Sequence, residues 1–231
     1  LDFVPGEAIG RKVVASSALA AARERLAETL AREHAKIHGV TPADAPGLFG
    51  GAPAADPLEH RLGLMRKAID ALKQPRPAVE LAFSWLRERA TPESEVVLAH
   101  GDFRTGNFLV GQDGLSAILD WEFSHWGSPY FDLAWIAVRD WRFGKLDLPI
   151  GGFARRAPFY EAYEAASGRK LDPVKLHYWE VLCNVHWAIG SVVQGERYVY
   201  GGEPDLELLA VGRRACEMEL EALRLIERGK L

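Results

Sequence analysis

The chain has 231 residues, 48% of them hydrophobic, enough apolar material for one sizeable core or two small ones. A formal net charge of -4 leaves no global basic field to draw it to nucleic acid or an anionic membrane, so neither is an expected partner. Cys183 and Cys216 stand alone, which excludes a disulfide framework or a Cys/His zinc site and favours a reducing, cytoplasmic setting.

No basic segment followed by an apolar stretch opens the sequence, and no run approaches the ~20 apolar residues of a membrane span. Ser16 and Ser17 precede Leu19, Leu26, Leu30 and Ile37 at helical spacing, with Gly39 as the stop. The Pro/Gly/Ala-rich segment TPADAPGLFGGAPAADP reads as a surface loop. Two helices follow, Leu58 to Leu72 and Ala78 to Arg89, the second started by Pro77. At Val96 the period changes. VVLAH reads as a buried strand, and NFLV-GQDG-LSAILD as a β-hairpin turning at Asp113-Gly114. Helical patterns resume over Tyr130 to Asp140 and Phe153 to Ala166, the latter stopped near Gly168. Asp172-Pro173 opens a further helix and Glu203-Pro204 a terminal one. The fold class expected is α+β, mostly helical, with a small catalytic β-hairpin.

The chemistry concentrates between Leu98 and Trp135. Asp102, Asn107 and Asp120 have spacings that suit no single helix face, but a strand, a loop and a hairpin fold them onto one point. Carboxylate and amide oxygens are what Mg²⁺ takes, usually one or two from protein, with phosphate oxygens and water completing the shell. With Asn107 and Asp120 on the metal, Asp102 is left to accept a proton from a hydroxyl attacking phosphorus.

HGDFRTGN followed by LDWE resembles the catalytic loop and metal-binding segment of the aminoglycoside phosphotransferase-like kinases, distant relatives of protein kinases. The Asp-to-Asn spacing equals that of the protein-kinase pattern His-Arg-Asp-x-x-x-x-Asn. The resemblance implies Asp102 as catalytic base, Asn107 and Asp120 as Mg²⁺ and nucleotide ligands, and Asp132 of GSPYFDLAW as the organiser of the loop. FVPGEAIG resembles the connection after the inter-lobe hinge, and LAREHAKIHGV the long helix that ends in Ile-His. On that likeness residues 1–15 are an inter-lobe connection and 16–231 the C-terminal lobe of a protein-kinase-like fold. The Gly-rich phosphate loop and strand Lys of the N-terminal lobe are then expected before Leu1.

Other residues keep plainer readings. His100, directly after a strand, is read as a buried hydrogen-bonding residue. Arg104 stands where protein kinases carry a Lys on the transferred phosphate, and a solvated loop side chain is the equal alternative. Glu122 either supports the metal or is a surface carboxylate. Trp121, Trp126, Tyr130, Trp179, Trp187, Tyr198 and Tyr200, with Glu180 and Glu196, are candidates for a pocket around a cationic ligand, but core packing is the simpler role. Trp179, Cys183 and Trp187 form a stripe at helical spacing that suits packing on a neighbouring helix. RRACEMELEALRLIERGK reads as a solvated helix face. The activity expected is ATP- and Mg²⁺-dependent transfer of the γ-phosphoryl group to a small-molecule hydroxyl. A kinase-fold binding module or pseudokinase without transfer, and a metal-dependent hydrolase, are the alternatives.

Overall fold

A computed structural model describes residues 3–231, so the first two residues of the expected inter-lobe connection lie outside the described residues. In chain order the elements are α1 (Gly10–Ala15), α2 (Ala20–Ile37), α3 (Pro57–Ala71), α4 (Pro77–Arg89), β1 (Val97–Ala99), β2 (Phe108–Gly111), β3 (Gly114–Ile118), β4 (His125–Gly127), α5 (Pro129–Trp135), α6 (Arg156–Ser167), α7 (Pro173–Val199), α8 (Leu206–Arg213) and α9 (Ala215–Arg228). Short 3₁₀ turns lie at Ser17–Leu19, Trp121–Phe123 and Arg139–Arg142. The fold is the mostly helical α+β one that the pattern predicts. It divides into two compact units, one running up to Ala54 and resuming at Glu95–Asp172, the other combining Ala55–Ser94 with Pro173–Leu231.

Among the described residues the four strands all lie in the first unit. They form two antiparallel pairs, β1 with β4 (Leu98 opposite Trp126) and β2 with β3 (Phe108 opposite Ile118), the second carrying an irregularity between Leu109 and Val110. The hairpin turn is Gln112-Asp113, one residue earlier than expected, and Gly114, at φ 125°, already belongs to β3. Glu7 and Val110 exchange backbone hydrogen bonds of 3.0 and 3.1 Å, which ties the segment before α1 to β2. The apolar stripe of α2 (Leu26, Leu30, Ala31) is fully buried, and the helix packs on α6 through Phe159 and Tyr163.

The predicted Ser16 cap is absent: its side chain makes no capping bond, and a 3₁₀ turn intervenes before Ala20. The helix expected to run from Tyr130 to Asp140 ends at Trp135, and the chain then tightens into the 3₁₀ turn Arg139–Arg142, closed by Phe143 in a left-handed conformation (φ 46°). The short strand β4 was unmarked in the sequence, since HWG is too brief to show a period.

The second unit is all helical. α7, 27 residues long, packs on α9, α8 and α4. Trp179 and Cys183 of the predicted stripe are buried in it. Gly195 of α7 meets Gly212 of α8 so closely that a Cβ on Gly212 would lie 2.7 Å from the Gly195 Cα, so only glycine fits that crossing. The terminal helix is two helices: Asp205, not Glu203-Pro204, caps α8, and the chain breaks at Arg214. The charged stretch read as a solvated face also has an inner side, Ala215, Met218, Ala222 and Leu225, all buried.

Asp56 caps α3, its Oδ1 accepting from Leu58 N (2.9 Å), Glu59 N (3.1 Å) and Glu93 N (3.3 Å). Asp56→Ala is expected to lower the unfolding free energy by about 1–2 kcal/mol, as N-cap removals do. A urea denaturation midpoint would read this, and Asp56→Ser should recover most of the loss.

Candidate active site

The site is built on the turn that follows β1. Gly101 sits at φ 85°, and a Cβ there would lie 2.2 Å from the Phe123 carbonyl oxygen, so a side chain at this corner is both strained and blocked. Pairing of β4 with β1 delivers Ser128 and Pro129 beneath this corner. There Ser128 Oγ accepts from Tyr130 N at 3.3 Å and Pro129 takes the first position of α5, where a missing N–H costs nothing. The next turn of α5 then carries Asp132 under the loop. Its carboxylate accepts from His100 N at 2.7 Å, Gly101 N at 2.9 Å and His38 Nε2 at 3.2 Å. Burial alone pushes the Asp132 carboxyl up, but the hydrogen bond and charge of His38, with the Gly101 N–H, outweigh it and hold the group well below the usual carboxylate range.

Asp102 is 8% exposed. Trp135 Nε1 donates to its Oδ1 at 2.7 Å and Asn107 Nδ2 to its Oδ2 at 2.6 Å, while Arg104 Nε lies 3.1 Å from both oxygens. The Arg104 guanidinium also stacks over the Trp141 ring at 4.5 Å. Burial raises the Asp102 carboxyl above its ordinary value, and this wins over the opposing effects of Arg104, Trp135 and Asn107. A carboxylate so placed is fixed in orientation and more basic than one in water.

Asn107 is buried and spends its amide NH₂ on Asp102, on the backbone oxygen at 3.0 Å as well as on the carboxylate, which leaves the amide oxygen as the atom it can offer a cation. Its carbonyl accepts from Leu119 N at 2.8 Å, and the Leu119 carbonyl accepts from His100 Nε2 at 2.9 Å. The end of β3 is therefore stitched to the loop of Asp102 and Asn107 just before Asp120. Asp120 itself is exposed and left-handed (φ 65°, ψ 62°), a conformation Asp tolerates better than most residues. His100 is fully buried, and its Nδ1 accepts from Asp102 N at 3.2 Å, so the Nε2–H tautomer serves both contacts, as its structural reading requires. Glu122 lies exposed on the 3₁₀ turn after Asp120. Among the pocket candidates, Tyr130 and Glu180 are buried, whereas Trp121 and Tyr200 are exposed.

The sequence profile described as the phosphotransferase enzyme family matches residues 1–175. The chain belongs to that family. Its structure is similar to that of a Ralstonia eutropha JMP134 protein provisionally assigned as an aminoglycoside phosphotransferase, with TM-score 0.81 and 21% identity over 100% of this chain and 73% of the other. It is similar also to a choline kinase from Cryptosporidium parvum Iowa II, with TM-score 0.63 and 12% identity over 98% and 69% of the two chains. At these identities the likeness is one of fold. A 61-residue stretch, 26% of this chain and 6% of the relative, is 36% identical to acyl-CoA dehydrogenase family member 10 of Mus musculus.

For this phosphotransferase-family chain, sequence reasoning passed over two residues at the site. Trp135 lies 33 positions from Asp102, and no local pattern announces its contact. His38, the second histidine of LAREHAKIHGV, carries no local signal of its role. It bridges Asp132 and the Tyr163 hydroxyl (2.9 Å), whose phenol burial pushes up and keeps protonated. His34, His38 and Asp132 bring ligating atoms within 4.8 Å of one another. The contacts already made favour a hydrogen-bonded strut over a metal centre, because Asp132 is met by N–H groups and both His38 ring nitrogens are engaged.

His34 is fully buried on the apolar face of α2, with neither ring nitrogen hydrogen-bonded. Its ring stacks on His38 (5.1 Å) and touches Phe103 (3.6 Å). Burial pushes its pKa well below the ordinary histidine value, and the neighbouring histidines add to this while Asp132 opposes it. The ring is thus neutral in the fold. Its contribution to stability is present above the unfolded value near ~6.5 and is lost as pH falls, because the unfolded chain then binds a proton the folded one refuses. His34→Leu is expected to stabilise the protein by about 1 kcal/mol at pH 7 and to flatten the decline in acid. Thermal melts of both proteins between pH 7 and 5 would measure it.

Proposed function

We propose that this protein transfers the γ-phosphoryl group of ATP, with Mg²⁺, to a hydroxyl of a small molecule. The observation that carries the reading is the Asp102 carboxylate: buried, oriented by Trp135, Asn107 and Arg104, and raised in basicity. Asp102 accepts the proton that the acceptor hydroxyl sheds as its oxygen bonds to the γ-phosphorus and the bond from that phosphorus to the ADP oxygen breaks; ADP departs and the proton rests on the Asp102 carboxyl group. A base with a raised pKa holds that proton better than a free carboxylate does.

The donor set fits a hard cation, since it offers the Asp120 carboxylate and the Asn107 amide oxygen and no sulfur. Asn107 and Asp120 would hold Mg²⁺. When bound, the ion supplies charge neutralisation at the nucleotide phosphates. Arg104 lies beside the base with a planar guanidinium, the shape that binds phosphate through paired N–H groups, and its role is to turn from Asp102 to the transferred group. Asp132 and His100 hold the loop without touching the reactants.

The acceptor is a small molecule. Aminoglycosides, choline-like and sugar alcohols, and hydroxyacyl compounds all offer the needed hydroxyl. Among the described residues no helix is long and apolar enough to cross a membrane. Both cysteines are free, which supports a cytoplasmic setting.

Asp102→Asn is expected to reduce phosphoryl transfer about a hundred- to ten-thousand-fold, the usual worth of a general base, while Mg·ATP binding persists. Unchanged turnover removes the base assignment. Product analysis separates the alternatives: ADP with phosphorylated acceptor supports the kinase, phosphate release alone a hydrolase, and neither a binding module. The kcat/KM profile should fall in acid, with a midpoint above the ordinary aspartate value near ~4, because the base works only when ionised and burial raises the pH at which it protonates. Asp120→Ala should abolish Mg²⁺-stimulated transfer, measured by ADP release across a Mg²⁺ titration.

A further inference from the structure

We infer that Trp135 is a positioning residue for the catalytic carboxylate, its indole N–H holding the plane of Asp102 while Arg104 turns to the phosphate. The inference rests on the phosphotransferase reading above.

The carboxylate has three side-chain donors, Trp135 Nε1 at 2.7 Å, Asn107 Nδ2 at 2.6 Å and Arg104 Nε at 3.1 Å. Two of them have other work in the reaction. Arg104 is the nearest cation to the incoming phosphoryl group, and a guanidinium exchanges one carboxylate readily for a more highly charged phosphate. Asn107 must keep its oxygen toward a cation. Trp135 has no such second task, since an indole offers one N–H and no acceptor. When Arg104 leaves, Oδ1 keeps only the indole N–H among these donors.

The indole is built to stay. It is 4% exposed, stacked on Phe131 at 5.5 Å and 17°, and in contact with Trp141 at 5.8 Å. Trp141 in turn lies under the Arg104 guanidinium at 4.5 Å. Asp102, Trp135, Trp141 and Arg104 thus close a ring of contacts in which two members are flat plates and one is a cation. Once Arg104 has moved, loss of the Trp135 N–H leaves Asn107, at Oδ2, as the remaining one of these donors, and a base held at one oxygen is aimed less well, which slows the chemical step without weakening nucleotide binding.

Trp135→Phe keeps an aromatic plate and removes the N–H. With Mg·ATP and a panel of choline, sugar alcohols and aminoglycosides, kcat for any acceptor used by the wild type should fall about ten- to a hundredfold, with KM for Mg·ATP unchanged. By NMR, the Trp135 indole Hε1 resonance of the wild type should lie downfield and move upfield in Asp102→Asn, where the charge that strengthens the bond is gone. Unchanged kcat in a folded Trp135→Phe protein, or an Hε1 resonance indifferent to Asp102→Asn, overturns the assignment. Should Trp135→Phe not fold, the resonance comparison decides. Failure of the phosphotransferase reading is distinct: the wild type then yields no phosphorylated acceptor, whereas failure of the Trp135 assignment leaves wild-type transfer intact.

Discussion

The first unit depends on one buried negative charge. Asp132 has no solvent to stabilise it, and it exists as a carboxylate because two successive backbone N–H groups, His100 and Gly101, and the His38 ring converge on its oxygens. Remove the charge and the turn after β1 loses its acceptor, leaving two buried N–H donors unpaired, each at a cost of about 1–3 kcal/mol. The loop that carries Asp102 therefore starts from a fixed corner.

Everything at the candidate site is reached from that corner by short hydrogen-bonded steps. His100 passes the constraint to the Leu119 carbonyl, Leu119 N passes it to Asn107, and Asn107 grips Asp102. On the opposite side Trp135, one helical turn beyond Asp132 on α5, reaches Asp102 directly. A single short helix thus anchors the loop with one residue and orients the Asp102 carboxylate with another. The two aspartates face opposite demands. Asp132 is surrounded by donors and held ionised, whereas burial raises the Asp102 carboxyl above its ordinary value.

The helices were legible where local chemistry and pattern agreed. α3, α4 and α6 carry a Pro start or a Gly stop at their predicted ends, and Gly168 takes the left-handed C-cap at φ 72°. Legibility failed where packing overrode local preference. The Tyr130–Asp140 pattern is apolar enough for a longer helix, yet the chain leaves α-geometry after Trp135, and Gly151 N then bonds the Ile136 carbonyl. The last helix broke at Arg214 for no reason visible in its composition. At the site, the residues that bear chemistry were marked by type and spacing, because carboxylates and amides in a turn-rich stretch are conspicuous. His38 and Trp135 were not, because an imidazole at a helix end and an indole in an apolar run look like ordinary core.

The amino-acid sequence by itself determined which oxygen donors are present, that they fall in a stretch of strand, loop and hairpin, and that this stretch resembles a phosphotransferase loop. Those properties follow from residue type and near-neighbour spacing. The tertiary structure decided how basic Asp102 is, which way it faces, and that His34 stays neutral against Phe103. Those depend on burial and on partners far away along the chain. Desolvation and hydrogen-bond geometry belong to the assembled unit, and no local window of sequence contains them.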